Sequence, residues 1–218
     1  MSTPLKGSVK ARIVDVRFAL SGKIASVAKY AGDTVTKGTL IACLDRKILQ
    51  TELDKQLADY EKVRADFEIF AQKNPDPQEP IDKYLKTEKQ AQLNASVKDV
   101  EIAKAHLDQA DLFSPVTGVI LDDSGIVPGL YITPASGSVK VIDTSSFYFE
   151  MEIPQEDIPA FAKPKEAAIK ITGLDREITC PTSLVYSDDK KFFVKVKIAD
   201  STGIFLGQNG QVSFKKEK

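Results

Sequence analysis

The pattern of hydrophobic and polar positions changes its period twice along this chain of 218 residues. From residue 8 to residue 45, β-branched and aromatic side chains follow one another closely, as at Val9, Ile13 and Val16, and glycines interrupt them at short intervals. Short apolar runs bounded by glycine are typical of β-strands that are joined by tight turns. The first segment is therefore expected to form a small β-structure.

Residues 46–112 contain no glycine, and their apolar residues recur every three or four positions. This spacing places the apolar side chains on one face of a helix. Three prolines lie between residues 74 and 80, where they prevent a single helix from continuing. We therefore expect two antiparallel helices joined at a proline-rich tip, the first about 28 residues and roughly 40 Å long. The expected stripe comprises Leu49, Leu53, Leu57, Tyr60, Val63, Phe67 and Phe70 in the first helix and Leu93, Val97, Val100, Ala103, Leu107 and Ala110 in the second.

Residues 113–145 and 146–214 return to the strand pattern. Apolar and polar residues alternate from Phe192 to Ile198 and again from Gln211 to Phe214. Alternation indicates strands that have one face buried and the other face in water. The chain that follows the helices is therefore expected to be mainly β.

The two strand-rich segments that flank the helices resemble each other. Each carries a glycine, an isoleucine, a second glycine 10 or 11 residues after the first, and then a β-branched residue. Glycine at such positions predicts turns with positive φ, which other residues resist. We therefore expect two similar half-sheets packed face to face, with the ends of the hairpin close together between them. The matching positions are Gly22, Ile24, Gly32 and Val35 in the first segment and Gly118, Ile120, Gly129 and Ile132 in the second.

These motifs resemble those of a known domain family. Residues 22–24, 32–40 and 44–45 are similar to the first half of a biotinyl/lipoyl-like domain, and residues 112–120 and 128–129 are similar to the second half. A coiled-coil hairpin inserted between the two halves resembles the HlyD-like membrane fusion proteins.

The resemblance extends over nearly the whole chain, since residues 153–158 and 206–212 are similar to the β-barrel domain of that family. It implies a mainly β fold with an inserted α-helical hairpin: a lipoyl-like β-sandwich split by a coiled coil and followed by a small β-barrel. The implied domains are residues 1–45 and 113–145 for the two halves of the sandwich, 46–112 for the hairpin and 146–218 for the barrel.

The resemblance also implies a function. Membrane fusion proteins are adaptors that link an inner-membrane transporter to a second component of a secretion or efflux complex, in some systems an outer-membrane channel. They commonly assemble into homo-oligomers. The expected location is periplasmic or otherwise extracytoplasmic, with a membrane anchor in the full-length form that is not part of this sequence. No apolar stretch of this sequence approaches the roughly 18 residues that span a bilayer.

Two other functions fit part of the same pattern. A soluble coiled-coil scaffold without a transport role would need the same helices. A biotin or lipoyl carrier domain would need a modified lysine between the two halves of the sandwich, where Lys47 begins the predicted hairpin. The sequence contains neither a Met-Lys-Met nor an Asp-Lys-Ala triplet, so no attached cofactor is expected.

Composition excludes several further classes of function. The chain has 30 basic and 31 acidic residues, and this balance does not favour nucleic acid as a partner. Cys43, Cys180 and the single histidine, His106, do not have the spacing of a zinc site. Because His106 has no nucleophile or paired carboxylate near it in sequence, neither a catalytic nor a metal site is expected and the protein is not expected to be an enzyme.

The proline-rich tip is the candidate partner-binding site. X-Pro bonds hold the preceding residues away from helical geometry, so this tip is stiffer than a Gly/Ser loop and loses less entropy on binding. It lacks the Arg, Leu and Ser pattern with which some family members dock on outer-membrane channels, and a plain helix-breaking connection is the alternative interpretation. The candidate residues are Asn74, Asp76, Gln78, Glu79 and Lys83.

Overall fold

The structure is a computed structural model that describes residues 5–76, 78–189 and 191–214. Residues 1–4 and 215–218 of the expected end domains, and Pro77 of the tip, lie outside the described residues. The helices are α1 (Lys47–Lys73) and α2 (Pro80–Asp108), with two 3-10 helices at Thr144–Ser146 and Gln155–Phe161. The strands are β1 (Leu5–Lys10), β2 (Ile13–Val16), β3 (Gly22–Val27), β4 (Thr34–Val35), β5 (Leu40–Leu44), β6 (Asp111–Phe113), β7 (Gly118–Asp122), β8 (Tyr131–Ile132), β9 (Val139–Asp143), β10 (Tyr148–Ile153), β11 (Glu166–Ile171), β12 (Glu177–Pro181), β13 (Tyr186–Asp188), β14 (Lys191–Lys197) and β15 (Asn209–Phe214).

The strands on either side of the hairpin form a sandwich of two four-stranded sheets, in the orders β2-β9-β7-β4 and β6-β5-β3-β8. Each sheet takes two strands from before the hairpin and two from after it. The expectation that each half of the sequence forms its own sheet was therefore wrong. Strands β4 and β8 have only two residues each, too few to hold a sheet of their own half together, and each pairs with a strand of the other half.

The two halves of the sequence repeat pair with each other in equivalent ways. Gly22 of the first half pairs with Ile132 of the second, and Gly118 of the second half pairs with Val35 of the first. The turn glycines repeat this pattern, since the Gly32 amide donates to the Ile120 carbonyl and the Gly129 amide donates to the Ile24 carbonyl, both at 2.8 Å. The two halves therefore fold as one unit despite their separation in sequence.

The glycines of the repeat serve two purposes. Gly32 and Gly129 both have φ of 92°, so the expected positive φ is confirmed at these turns. It was wrong for Gly22 and Gly118, which have no positive φ and lie within strands. At Gly118 the reason for glycine is close packing, because a Cβ there would lie 1.7 Å from the carbonyl oxygen of Ile142.

A second β unit follows the sandwich and contains one strand that sequence analysis assigned elsewhere. Its seven strands run in the order β12-β11-β15-β1-β10-β14-β13. Strand β1 lies within this sheet, antiparallel to β10 and β15, although residues 1–45 were expected in the first half of the sandwich. The hydrogen bonds of Leu5–Lys10 correct that boundary, and the other boundaries stay predictions.

This seven-stranded sheet bends into a half-barrel. Thr182, just after β12, forms a β-bridge with Val196 of β14, so the sheet turns back toward itself. Phe161 of the second 3-10 helix stacks edge-on against Phe214 at 5.1 Å between ring centroids and covers one side of the core. The core side chains are Val9, Ile142, Phe147, Phe149, Met151, Ile153, Phe161, Ala167, Ile169, Ile171, Val194, Val196, Ile198, Ile204 and Val212.

The helices form the expected hairpin, and α1 has 27 residues. Partly buried or buried positions recur every three or four residues on both helices, as in a coiled coil. These positions form the seam along which the two helices pack. Leu57 and Val97 were expected on the seam but are exposed, and their neighbours Gln56 and Ser96 face the partner helix instead. Because Gln56 and Ser96 are polar, a prediction based on hydrophobicity assigned their apolar neighbours to the seam instead.

The hairpin leaves the sandwich from two adjacent strands. Cys43 of β5 pairs with Asp111 of β6, and the Leu44 amide donates to the Ala110 carbonyl at 2.9 Å. An ion pair between Arg46 and Asp111 joins the chain just before α1 to the strand that follows α2. The expected proximity of the two hairpin ends is therefore confirmed.

Removal of the hairpin should leave both β units folded. Replacing residues 47–109 by a short Gly/Ser linker spans adjacent strand ends, and the only buried residues that α1 and α2 contribute within the described chain are Ser96 and Ala103. We expect the free energy of unfolding to fall by only about 1–2 kcal/mol, because Leu49, which is partly buried, is the one side chain of the two helices that packs against the sandwich core within the described residues. Far-UV circular dichroism and dispersed amide NMR signals measure this. An unfolded variant would contradict the insertion architecture.

Candidate functional site

The candidate site lies at the far end of the hairpin. Both helices extend about 40 Å from the sandwich, at 1.5 Å per residue. The hairpin is exposed along its length apart from the seam between its helices. Whatever the tip contacts therefore lies far from the two β units.

Asn74 ends α1 and is the least available of the candidate residues. Its backbone N–H donates to the Phe70 carbonyl at 3.0 Å, and its side-chain Nδ2 donates to the same oxygen at 3.3 Å. The side chain is partly buried. Asn74 is therefore occupied in terminating the helix, a role that the sequence pattern did not distinguish from partner binding.

Asp76 and Gln78 lie on the exposed turn between the helices. Gln78 Nε2 donates to Asp76 Oδ2 at 2.7 Å, and both side chains are exposed. The Asp76 carboxylate gives the apex an acidic, solvent-exposed surface.

Glu79 and Lys83 flank the start of α2. Glu79 has the extended φ and ψ of −68° and 139° that a following proline imposes, and Pro80 occupies the first helical turn. Both side chains are exposed. None of the charged residues Asp76, Glu79 and Lys83 forms an ion pair with any residue that the structure describes.

An apolar surface that the sequence pattern did not reveal lies beside this acidic apex. Ile81, Tyr84 and Leu85 begin α2 and are 68%, 76% and 40% exposed. Their spacing of three and four residues places them on one face of the helix. The heptad register of the two helices could have revealed this surface. Near the tip the seam positions are Asp82 and Lys89, so the three apolar residues lie outside the seam.

The tip thus combines three exposed apolar side chains with an acidic apex. No cluster of three or more histidine, cysteine, aspartate or glutamate residues that could hold a metal ion occurs among the described residues. An exposed apolar patch with a polar rim is typical of a surface that binds another protein. None of the described helices is both long enough and apolar enough to cross a membrane.

Comparison with known proteins gives matches among solved structures. No family model and no curated protein matches this chain. A chimera of MacA carrying the α-hairpin domain of Pseudomonas aeruginosa MexA has a TM-score of 0.82 at 18% identity, covering 98% of this chain and 81% of the chimera. The membrane fusion protein Spr0693 from Streptococcus pneumoniae R6 has a TM-score of 0.76 at 14% identity, covering 97% of this chain and 100% of Spr0693. A putative efflux transporter from Bacteroides eggerthii has a TM-score of 0.71 at 17% identity, covering 96% of this chain and 67% of that protein.

Similarity over nearly the full chain at these scores confirms the fold that the sequence motifs predicted. The protein has the fold of the HlyD-like membrane fusion proteins, with a split lipoyl-like sandwich, an inserted helical hairpin and a half-barrel unit. At identities of 14–18%, the comparisons establish the fold alone.

Proposed function

We propose that this protein is an adaptor of the membrane fusion type, which links an inner-membrane transporter to a second component of a secretion or efflux complex. The observation that carries the proposal is the hairpin, whose tip exposes Ile81, Tyr84 and Leu85 far from either β unit. A long hairpin that ends in unburied apolar side chains is suited to reach and bind a distant protein. The similar proteins described as membrane fusion proteins and efflux components support the same role.

The soluble scaffold is the weaker alternative. A scaffold that uses only its coiled coil has no need of a split sandwich and a half-barrel at the base of the hairpin. The carrier domain is weaker still, because Lys47 is an exposed residue at the start of α1 and helices occupy the place where a carrier domain presents its lysine on a short hairpin. The carrier function does not account for the apolar tip either.

In this proposal the half-barrel unit contacts the transporter. Phe205 is 69% exposed in the loop between β14 and β15. Two hydrogen bonds to Val9 of β1 hold this loop in place. The Gly207 amide donates to the Val9 carbonyl at 2.9 Å, and the Val9 amide donates to the Gln208 carbonyl at 2.8 Å. A fixed, exposed phenylalanine is suited to act as an anchor at a protein interface. The location of such a complex is extracytoplasmic, and the adaptor works as a homo-oligomer without catalytic activity or cofactor.

Site-specific photo-cross-linking should identify the partner at the tip. With p-benzoylphenylalanine in place of Tyr84, we expect irradiation of cells of the source organism to link the protein to a membrane transport component. The same probe at Lys62, exposed in the middle of α1, is the matched control and should give a weaker cross-link to that component. Mass spectrometry of the cross-linked band measures the outcome.

The alternatives predict different cross-links. If Tyr84 is linked only to soluble proteins, the scaffold function replaces the adaptor function. If it is linked only to further copies of the same chain, the tip is an oligomer contact and not the contact with a second component.

A further inference from the structure

A polar cleft of about 560 Å³ lies where the sandwich joins the half-barrel unit. One wall comes from the chain that connects the units, with Arg12 and the 3-10 turn after β9. The other wall comes from the strand end at β12 and from β14. The lining residues are Arg12, Asp143, Ser145, Ser146, Tyr148, Pro181, Thr182, Ser183, Lys195 and Lys197. The volume is in the range of pockets that hold small molecules.

The cleft has an excess of positive charge. Three cationic side chains and one carboxylate line it, which leaves a net charge of +2. The carboxylate, Asp143, is buried and accepts hydrogen bonds from the Ser145 amide at 3.0 Å and the Ser145 hydroxyl at 2.6 Å. Asp143 therefore shapes the turn, while the cations determine what the cleft attracts. This charge contrasts with the chain as a whole, whose formal net charge is −1.

Two of the cations have no partner of their own. Neither Arg12 nor Lys197 forms an ion pair with any residue in the described part of the chain, and both are exposed to the cleft and solvent. Lys195 differs, since its Nζ lies 4.0 Å from Glu150 Oε1 and over the rings of Tyr148 and Tyr186. Arg12 and Lys197 are therefore the charges available to a ligand.

Two hydroxyl groups add uncommitted hydrogen-bond donors. Thr182 is buried, and its hydroxyl accepts the Lys165 amide at 2.9 Å without an acceptor for its own proton among the described residues. The Tyr148 hydroxyl likewise forms no hydrogen bond within the described chain. Because a buried donor is nearly always satisfied by protein, water or ligand, the buried Thr182 hydroxyl marks a place for an oxygen acceptor, and the partly buried Tyr148 hydroxyl offers a second donor. Cations and hydroxyl donors together match the acceptor-rich oxygens of a phosphate group.

We propose that this cleft binds a phosphate-bearing anion and that the bound anion bridges the two β units. Arg12 lies on the connection to the sandwich and Lys197 on the half-barrel sheet, so an anion between them contacts both sides. Such a ligand favours the one relative orientation in which both contacts form. The site is independent of the tip and of any partner bound there.

Titration with inorganic pyrophosphate tests the site on the full chain. We expect saturable binding by isothermal calorimetry at low ionic strength, weakened by added NaCl because the contacts are charged. The double variant Arg12→Gln with Lys197→Gln should lower the affinity at least tenfold, since both lost contacts are charge-assisted. The matched control Lys6→Gln with Lys170→Gln removes the same charge from exposed positions that both pair with Gln211, away from the cleft, and should bind like the parent protein.

A second measurement locates the ligand and its source. Pyrophosphate should shift the amide NMR signals of Ser145 and Ser146 on one wall and of Thr182 and Ser183 on the other. Vesicles containing phosphatidylglycerol distinguish a lipid headgroup from a free molecule: binding to vesicles alone, lost in the Arg12 and Lys197 double variant, assigns the phosphate to lipid. Absence of binding to both probes, equal loss in the two double variants, or signal shifts outside the cleft would each overturn the proposal.

Discussion

Replacing Ile81 and Tyr84 by serine should strongly weaken binding at the hairpin tip while the protein remains folded. These side chains are 68% and 76% exposed, so their loss removes no buried contact from the protein itself. Exposed substitutions of this kind usually change stability by no more than about 0.5 kcal/mol. Full burial of a large apolar side chain against a partner contributes about 1.5–3 kcal/mol. Loss of two such contacts should weaken the complex by at least about a hundredfold.

Co-purification with the component identified by cross-linking, and transport by the complete system, measure this effect. Ile102→Ser is the matched control, because Ile102 is also exposed on α2 but lies 18 residues from Tyr84, about 27 Å along the helix. The variant Asp76→Lys with Glu79→Lys separates the acidic apex from the apolar surface. Wild-type transport in both tip variants would reduce the tip to a connection between helices. An equal loss in Ile102→Ser would extend the interface along the whole hairpin.

The apolar tip surface could have been recognised from the sequence only through the register of the coiled coil. Spacing of apolar residues by three and four positions predicted both helices and most of the seam. The same spacing also fits residues that point outward, and Leu57 was assigned to the seam although Gln56 occupies it. Where the seam residue is polar, as at Gln56 and Asp82, hydrophobicity alone selects the wrong neighbour. The apolar residues left outside the seam near the tip are the ones free to bind a partner.

Long-range strand pairing was the other part that sequence reasoning could not supply. The repeat of Gly22 and Gly118 correctly indicated two related halves, yet it did not reveal that their strands are shared between both sheets. Likewise, Leu5–Lys10 has a strand pattern that fits either β unit, and only its hydrogen bonds to β10 and β15 place it in the half-barrel. Pattern establishes that a strand exists, whereas its partners depend on the packing of distant residues.

The cleft between the β units was equally inaccessible to sequence reasoning. Arg12 and Lys197 are separated by 185 positions and belong to no motif. The two residues come close because the chain passes from the half-barrel unit to the sandwich directly after β1. This places Arg12 beside the turn at Ser146, and the Arg12 amide donates to the Ser146 hydroxyl at 2.8 Å. A site built at a junction of two units depends on topology, which a single sequence pattern does not encode.

Replacing Gly118 by alanine should destabilise the sandwich far more than the same change at its repeat partner, Gly22. A Cβ at Gly118 would lie 1.7 Å from the carbonyl oxygen and 2.8 Å from the carbonyl carbon of Ile142. These are backbone atoms of the neighbouring strand β9, so the strands must separate or shift register. At Gly22 the nearest atom is a methyl group of Leu44 at 3.2 Å, which can rotate away. We expect a loss of about 3 kcal/mol or more for Gly118→Ala and about 1 kcal/mol or less for Gly22→Ala.

Urea unfolding followed by methyl NMR signals of the sandwich core, such as Ile120 and Val141, measures the two variants separately from the half-barrel unit. Separate probes are needed because a chain with two cores need not unfold in one step. The strain at Gly118 also reaches the junction of the units, since the added Cβ would lie 3.3 Å from the Thr144 amide, which donates to the Thr117 carbonyl at 3.2 Å. The amide signals of Ser145 and Ser146 should therefore move in Gly118→Ala and stay in place in Gly22→Ala. Equal stability of the two variants would mean that β7 and β9 can separate at little cost, and the close packing at Gly118 would then not explain why glycine occupies this position.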